Sequence, residues 1–204
     1  MKIAILADQH GELPPIPPCD LMILSGDITG GPDHVCGQWR PDLSDWKWRE
    51  WLATDFARWV QGAPMTVAIA GNHDTAVQQF GFPVLNNLHY LRDSGCEVGG
   101  LKFWGTPWIK QWDDLAFNLN DRGRAIKLDM VPDGTDVLVC HMPPFGIGDL
   151  VGGKPAGCCF VLNAINRVKP RLVTCGHIHE GRGMYRWGET TIVNAARGFV
   201  EFIL

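Results

Sequence analysis

Seven side chains of metal-binding type follow short apolar runs in this chain: Asp8, His10, Asp27, Asn72, His141, His177 and His179. Two carboxylates, one amide oxygen and four imidazoles make a mixed nitrogen and oxygen donor set without thiolate. Such a set suits Mn²⁺, iron (Fe²⁺ or Fe³⁺) or Zn²⁺ better than Ca²⁺, and it is unlike a structural zinc site. Seven ligands are too many for one ion and fit two divalent metal ions that share a bridging carboxylate. Two ions ~3.5–4 Å apart clamp the attacking and leaving oxygens of an in-line displacement at phosphorus, and they acidify a bound water. Within Ala70-Gly71-Asn72-His73-Asp74, His73 backed by Asp74 reads as a proton donor held in one orientation. A lone His or Asp at a strand end is more often a cap or turn residue. Here five of the seven histidines share the clusters, and only His34 and His89 fall outside and read as structural.

The elements that must position these residues show in the hydropathy pattern. Lys2–Leu6, Leu21–Leu24, Met65–Ala70, Asp136–Cys140 and Leu172–Cys175 read as buried strands, each ending at one of the clusters. Gly71 is expected to permit a sharp turn after the third of them. A helix is expected from Ser44 or Asp45 to about Val60, with Trp48, Leu52, Phe56 and Trp59 on one face. Residues 75–87 read as irregular or weakly helical. Short strands near His89–Leu91, Glu97–Val98 and Leu101–Trp104 suggest meander hairpins. Helices are expected at Arg122–Met130 and Cys158–Val168, and the tail segments Met184–Trp187, Thr190–Asn194 and Phe199–Leu204 read as three antiparallel strands. The pattern implies an α/β (α+β) domain, one domain over 1–204, of two packed sheets flanked by helices. Polar clusters at the C-terminal ends of strands are where open α/β sheets build their sites.

Composition narrows the function classes. The net charge of −4, with no run of Lys or Arg, disfavours an extended nucleic-acid surface. No apolar run approaches the ~20 residues of a membrane span, and Met1-Lys2 leads into a strand pattern rather than a signal peptide. Seven scattered cysteines without CxxC pairs suggest reduced thiols and a cytoplasmic protein. The oligomeric state stays open.

Asp8-Gln9-His10, Gly26-Asp27, Gly71-Asn72-His73-Asp74, His141 and Gly176-His177-Ile178-His179 together resemble the five motifs of the calcineurin-like metallophosphoesterase superfamily. Further stretches narrow the resemblance: Gly105-Thr106-Pro107-Trp108, Ala116-Phe117-Asn118, His141-Met142-Pro143-Pro144 with Gly146 and Asp149, and Asn194-Ala195. These are similar to the metallophosphoesterase-domain-containing (239-type) proteins, relatives of class III phosphodiesterases. The resemblance implies a four-layer αββα sandwich with two mixed sheets. It also implies one ion on Asp8, His10, Asp27 and His179 and a second on Asp27, Asn72, His141 and His177, with Asp27 bridging. His73, steered by Asp74, is then the proton donor to the leaving group after attack by a metal-bridging hydroxide. Met142 stands where the 239-type proteins usually have Gly, which puts the choice of substrate in question.

The expected activity is hydrolysis of small phosphodiesters, with cyclic nucleotides as the family-guided guess. The alternatives are a phosphomonoesterase or protein phosphatase, and a scaffold that kept the fold without catalysis. Against the second, Gly26-Asp27 is followed by Ile28-Thr29-Gly30-Gly31 rather than Asp-Arg-Gly; against the third, every ligand position is kept. Trp108 and Trp112 are candidates for stacking a nucleobase. Glu180 and Asn194 read as supporting residues for the metal ligands, and Arg197 as either a phosphate clamp or a surface residue.

Overall fold

The computed structural model describes residues 1–30, 34–35, 38–39, 41–111 and 115–204; for 34–35, 38–39 and 41–43 it describes the backbone alone. Trp112 lies outside the described residues, as does the side chain of His34.

Strands β1 (Lys2–Leu6), β2 (Leu21–Ser25), β3 (Thr66–Ile69) and β4 (Leu88–Tyr90) belong to one sheet. Strands β5 (Ser94–Val98), β6 (Leu101–Thr106), β7 (Val137–Cys140), β8 (Leu172–Cys175), β9 (Gly183–Trp187) and β10 (Thr190–Asn194) form the other. The last strand, β11 (Val200–Ile203), returns to the first sheet and pairs antiparallel with β1. The orders are β11-β1-β2-β3-β4 and β9-β10-β8-β7-β6-β5, parallel at the centre of each sheet and antiparallel at one edge of the first and both edges of the second.

Alternation along the strands builds three apolar layers. Ile3, Ile5, Leu21, Ile23, Val67 and Ile69 face Phe103, Val137, Val139, Leu172 and Val193 between the sheets. On the outer face of the first sheet, Leu6, Met22, Leu24 and Ala68 pack on Leu52, Phe56, Val60 and Val77. On the outer face of the second, Leu138, Cys140, Val173 and Ile192 pack on Leu128, Val161, Ala164 and Ile165. Helix α1 (Pro41–Trp51) packs Trp48 and Trp51 on the first of these outer layers, and the named residues come from a π-helical turn over Leu52–Phe56, α2 (Ala57–Val60), α3 (Thr75–Phe80), α4 (Asp121–Asp129) and α5 (Cys159–Val168). The result is the expected four-layer αββα sandwich. Among the described residues no helix is long and apolar enough to cross a membrane, and the six described cysteines are free.

Three expectations are corrected. The tail is not a three-stranded antiparallel unit: β9 and β10 pair with each other, but β11 crosses to the other sheet. The expected meander is likewise split, because β4 pairs parallel with β3 while β5 and β6 form a hairpin on the second sheet. Apolar alternation reports burial, and both sheets are buried on both faces, so it does not say which sheet a strand joins. The first long helix starts at Pro41 rather than at Ser44 or Asp45. Proline suits a first helical position, where its missing N–H has no intrahelical partner to lose.

One polar contact joins the sheets in their dry interior: Ser25 Oγ donates to Thr174 Oγ1 at 2.8 Å, with both residues fully buried. Ser25→Ala strands the threonine hydroxyl and is expected to cost about 1–3 kcal/mol of unfolding free energy. Adding Thr174→Val removes both partners and is expected to recover much of that loss. Urea midpoints of the two variants check this; a double variant no more stable than Ser25→Ala would refute it.

Candidate metal centre

Parallel strands end on the same edge, so the loops after β1, β2 and β3 meet those after β7 and β8. Asp8 and His10 follow β1, Asp27 follows β2, and Asn72, His73 and Asp74 follow β3. The second sheet contributes His141 after β7 and His177 and His179 after β8. Candidate donor atoms fall into two groups, Asp8 with His10 and His179, and Asp27 with His141 and His177, each group within 4.8 Å of one another.

Loop backbones are bent hard to achieve this. Asp8, His10, Asp27 and His177 all take positive φ, between 46° and 66°, a region that non-glycine residues enter at a cost. Their turns are held by reciprocal bonds: Asp8 N–H to Gly26 O at 3.0 Å, His10 N–H to Asp27 O at 3.0 Å, and His177 N–H to both Asp8 carboxylate oxygens at 3.0 and 2.9 Å. Gly71 is required for close approach: a Cβ there would collide with the Asp27 carboxylate and come within 2.7 Å of the His141 ring.

His141 is the most constrained of the candidate ligands. It is fully buried, and its Nδ1 lies 2.8 Å from the Ser25 carbonyl, so Nδ1 carries the proton and donates it. Nε2 then points at Asn72 Oδ1, 3.1 Å away, and at Asp27 Oδ2, 3.2 Å away. These atoms converge on one point, an arrangement that a cation satisfies. Burial opposes a proton on His141, but the Asp27 carboxylate outweighs burial and raises the His141 pKa to about 9. For Asp27 burial pushes upward, while His141, His73 and His10 together hold its pKa well below the usual carboxylate range. Burial, then the charge of His141, depresses His177 to about 4. Burial also lowers His10, whereas the hydrogen bond to Asp8, at 3.4 Å, raises His179. Hard oxygens beside neutral imidazole nitrogens are a donor set fit for divalent transition ions.

His73 stands at the mouth of this cluster, half-buried, with its ring edge-on to His10 at 4.9 Å. Its backbone N–H donates to Asp27 Oδ1 at 2.8 Å. Asp74 does not steer it. The Asp74 carboxylate turns inward, accepting from Thr29 N–H at 2.7 Å, Thr29 Oγ1 at 3.0 Å, Gly71 N–H at 2.7 Å and Ile28 N–H at 3.2 Å. It staples the loop after β3 to the loop after β2, which makes it a positioning residue. Burial and the nearby Asp27 charge raise its pKa to about 6.

Other expected residues separate. Asn194 supports the site through backbone: its amide donates to Gly148 O and Ile178 O at 3.0 and 2.9 Å, fixing the turn between His177 and His179. Trp108 is tied to the Asp93 carboxylate through Nε1 at 2.8 Å and flanked by Phe117, Arg92 and Lys127, contacts that a stacking base would have to displace. Met142 and Glu180 line a cavity of about 620 Å³ that reaches His177, together with Lys110, Val151 and Pro155. Two contributions escaped the sequence reading, the Ser25 carbonyl that sets the His141 tautomer and the cavity lysine Lys110. For Ser25 a signal existed, a lone polar residue closing an apolar strand.

The fold and the clustered donors define a metallophosphoesterase-type protein. The calcineurin-like phosphoesterase family profile matches residues 1–181, and the chain belongs to that family. It is similar to human metallophosphoesterase domain-containing protein 1, 33% identical over 230 aligned positions that cover 96% of this chain and 65% of the human protein. UPF0046 protein C25E10.12 of Caenorhabditis elegans is 32% identical, with 96% of this chain and 75% of the worm protein covered. In fold it is similar to TT1561 of Thermus thermophilus, with a TM-score of 0.58 at 13% identity over 95% of this chain and 88% of that one. The chain thus spans just under two thirds of the human relative's length.

Replacing Asp74 with Asn offers a carboxamide N–H₂ to backbone donors that need an acceptor. Asp74→Asn is expected to cost about 1–3 kcal/mol of stability in metal-stripped protein. An unchanged urea midpoint would contradict the stapling role and return Asp74 to the orientation of His73.

Proposed function

We propose that this chain is a phosphoesterase dependent on two divalent cations and acting on small phosphodiesters, cyclic nucleotides among them. The observation that carries this reading is the double donor cluster around Asp27, assembled from both sheets. One cation would be held by Asp8, His10, Asp27 and His179, the other by Asp27, Asn72, His141 and His177. When bound, Mn²⁺, iron or Zn²⁺ supplies Lewis acidity that makes water nucleophilic at neutral pH and offsets charge on the phosphoryl oxygens.

The chain's own groups do the rest. His141, with its Nδ1 proton committed to Ser25, keeps the Nε2 lone pair for the cation. The His73 ring protonates the departing alkoxide; its placement comes from its backbone N–H bond to Asp27 and from its carbonyl, which accepts from Thr29 Oγ1 and Thr75 N–H at 3.0 Å each. The 620 Å³ cavity beside His177 is of small-molecule size and receives the ester substituent. Met142 forms part of its wall, so this chain's substituent preference differs from that of relatives with Gly at the position. We place the protein in the cytoplasm, where buried thiols such as Cys140, Cys158 and Cys175 stay reduced.

Metal-stripped protein reloaded with Mn²⁺ is expected to hydrolyse bis-p-nitrophenyl phosphate in preference to p-nitrophenyl phosphate, and EDTA to abolish the activity. Monoester preference would move the reading to a phosphatase. His73→Ala is expected to keep its manganese and lose about 10²–10⁴-fold in turnover; full activity in that variant would remove His73 from the chemistry.

A further inference from the structure

The Asp8 side of the centre is edged by a turn that is strained and clamped. Arg197, three residues past the end of β10, takes φ 60, a left-handed conformation unfavourable for a residue with a side chain. Its backbone N–H donates to Ala7 O at 2.8 Å, and Ala196 bridges Ala7, so this turn runs beside the one that presents Asp8. A second arginine holds the turn in place. Arg182 Nη1 donates to Ala196 O at 3.1 Å and Gly198 O at 2.8 Å, and Nη2 donates to Phe199 O at 3.1 Å. Gly198 makes room for this clamp, since a Cβ there would stand 3.4 Å from the Arg182 guanidinium.

One guanidinium is spent on carbonyls on both sides of Arg197, while that of Arg197 itself is exposed. Among the described residues it makes no hydrogen bond or ion pair, and its charge reaches the imidazole of His179. Strained backbone positions cluster at functional sites. A planar guanidinium offers parallel N–H donors that match two oxygens of a phosphate.

We infer that Arg197 is a substrate-binding residue, its guanidinium taking a non-reacting oxygen of the phosphoryl group from the Asp8–His179 side of the centre. This rests on the phosphoesterase reading. It assigns different tasks to two cationic side chains: Arg197 holds the phosphoryl group, and Lys110, in the cavity by His177, meets the substituent.

The test uses the full manganese-loaded chain. Arg197→Gly removes the guanidinium and suits a positive φ, so the fold is spared; Arg197→Lys keeps charge without the fork. Inorganic phosphate is the binding probe, read as a competitive inhibition constant, alongside KM and kcat for bis-p-nitrophenyl phosphate. Arg197→Gly is expected to weaken phosphate binding and raise KM by about tenfold or more, with manganese content and unfolding midpoint unchanged. Arg197→Lys is expected to fall between it and the parent. Unaltered phosphate binding in Arg197→Gly, or loss of its manganese, would overturn the assignment while leaving an active parent's phosphoesterase reading intact. A manganese-loaded parent that neither binds phosphate nor hydrolyses the diester would overturn both.

Discussion

A carboxylate with 2% of its surface exposed, Asp27, sits at the edge where the two sheets meet, and the site depends on how its charge is met. An uncompensated buried carboxylate is costly. Asp27 receives the His73 backbone N–H and faces His141 Nε2, whose other nitrogen is committed to Ser25. With Asn72 Oδ1 also aimed there, acceptors outnumber donors. A raised His141 pKa meets part of that deficit, and a divalent cation is a group that can satisfy several acceptors at once.

The sandwich serves that junction. The first sheet brings Asp8, His10, Asp27 and Asn72, and the second brings His141, His177 and His179, so neither holds a full donor set alone. Registration between them relies on the apolar layer that contains Ile23 and Val139, on the Ser25–Thr174 bond, and on the His177 N–H bonds to Asp8. Positive φ values at four of the seven donors show where folding energy is stored as geometry. Asp74 shares in this, since its four acceptances hold the Asn72–His73 turn against the Asp27 turn.

Much of this was legible in the sequence. Short β-branched runs ending in Asp, Asn or His announce strands that deliver ligands to one edge, and all seven donors gather there. What was not legible depends on contacts between distant segments. The destination of β11 and the split of β4 from β5 turn on which sheet has a free edge, which apolar alternation does not encode. The inward turn of Asp74 depends on backbone donors at Ile28 and Thr29, over 40 residues earlier. The sequence neighbourhood of His73 and Asp74 suggests a pair, but the turn after Gly71 sends them to opposite sides. Trp108, a candidate for stacking a nucleobase, is claimed by Asp93.

The most direct measurement is anomalous diffraction from crystals of the manganese-loaded protein, collected at the manganese edge. Two peaks are expected, flanking the Asp27 carboxylate, one against Asp8, His10 and His179 and the other against Asn72, His141 and His177. A single peak away from Asp27, or none at full manganese loading, would contradict the shared-carboxylate centre on which the account rests.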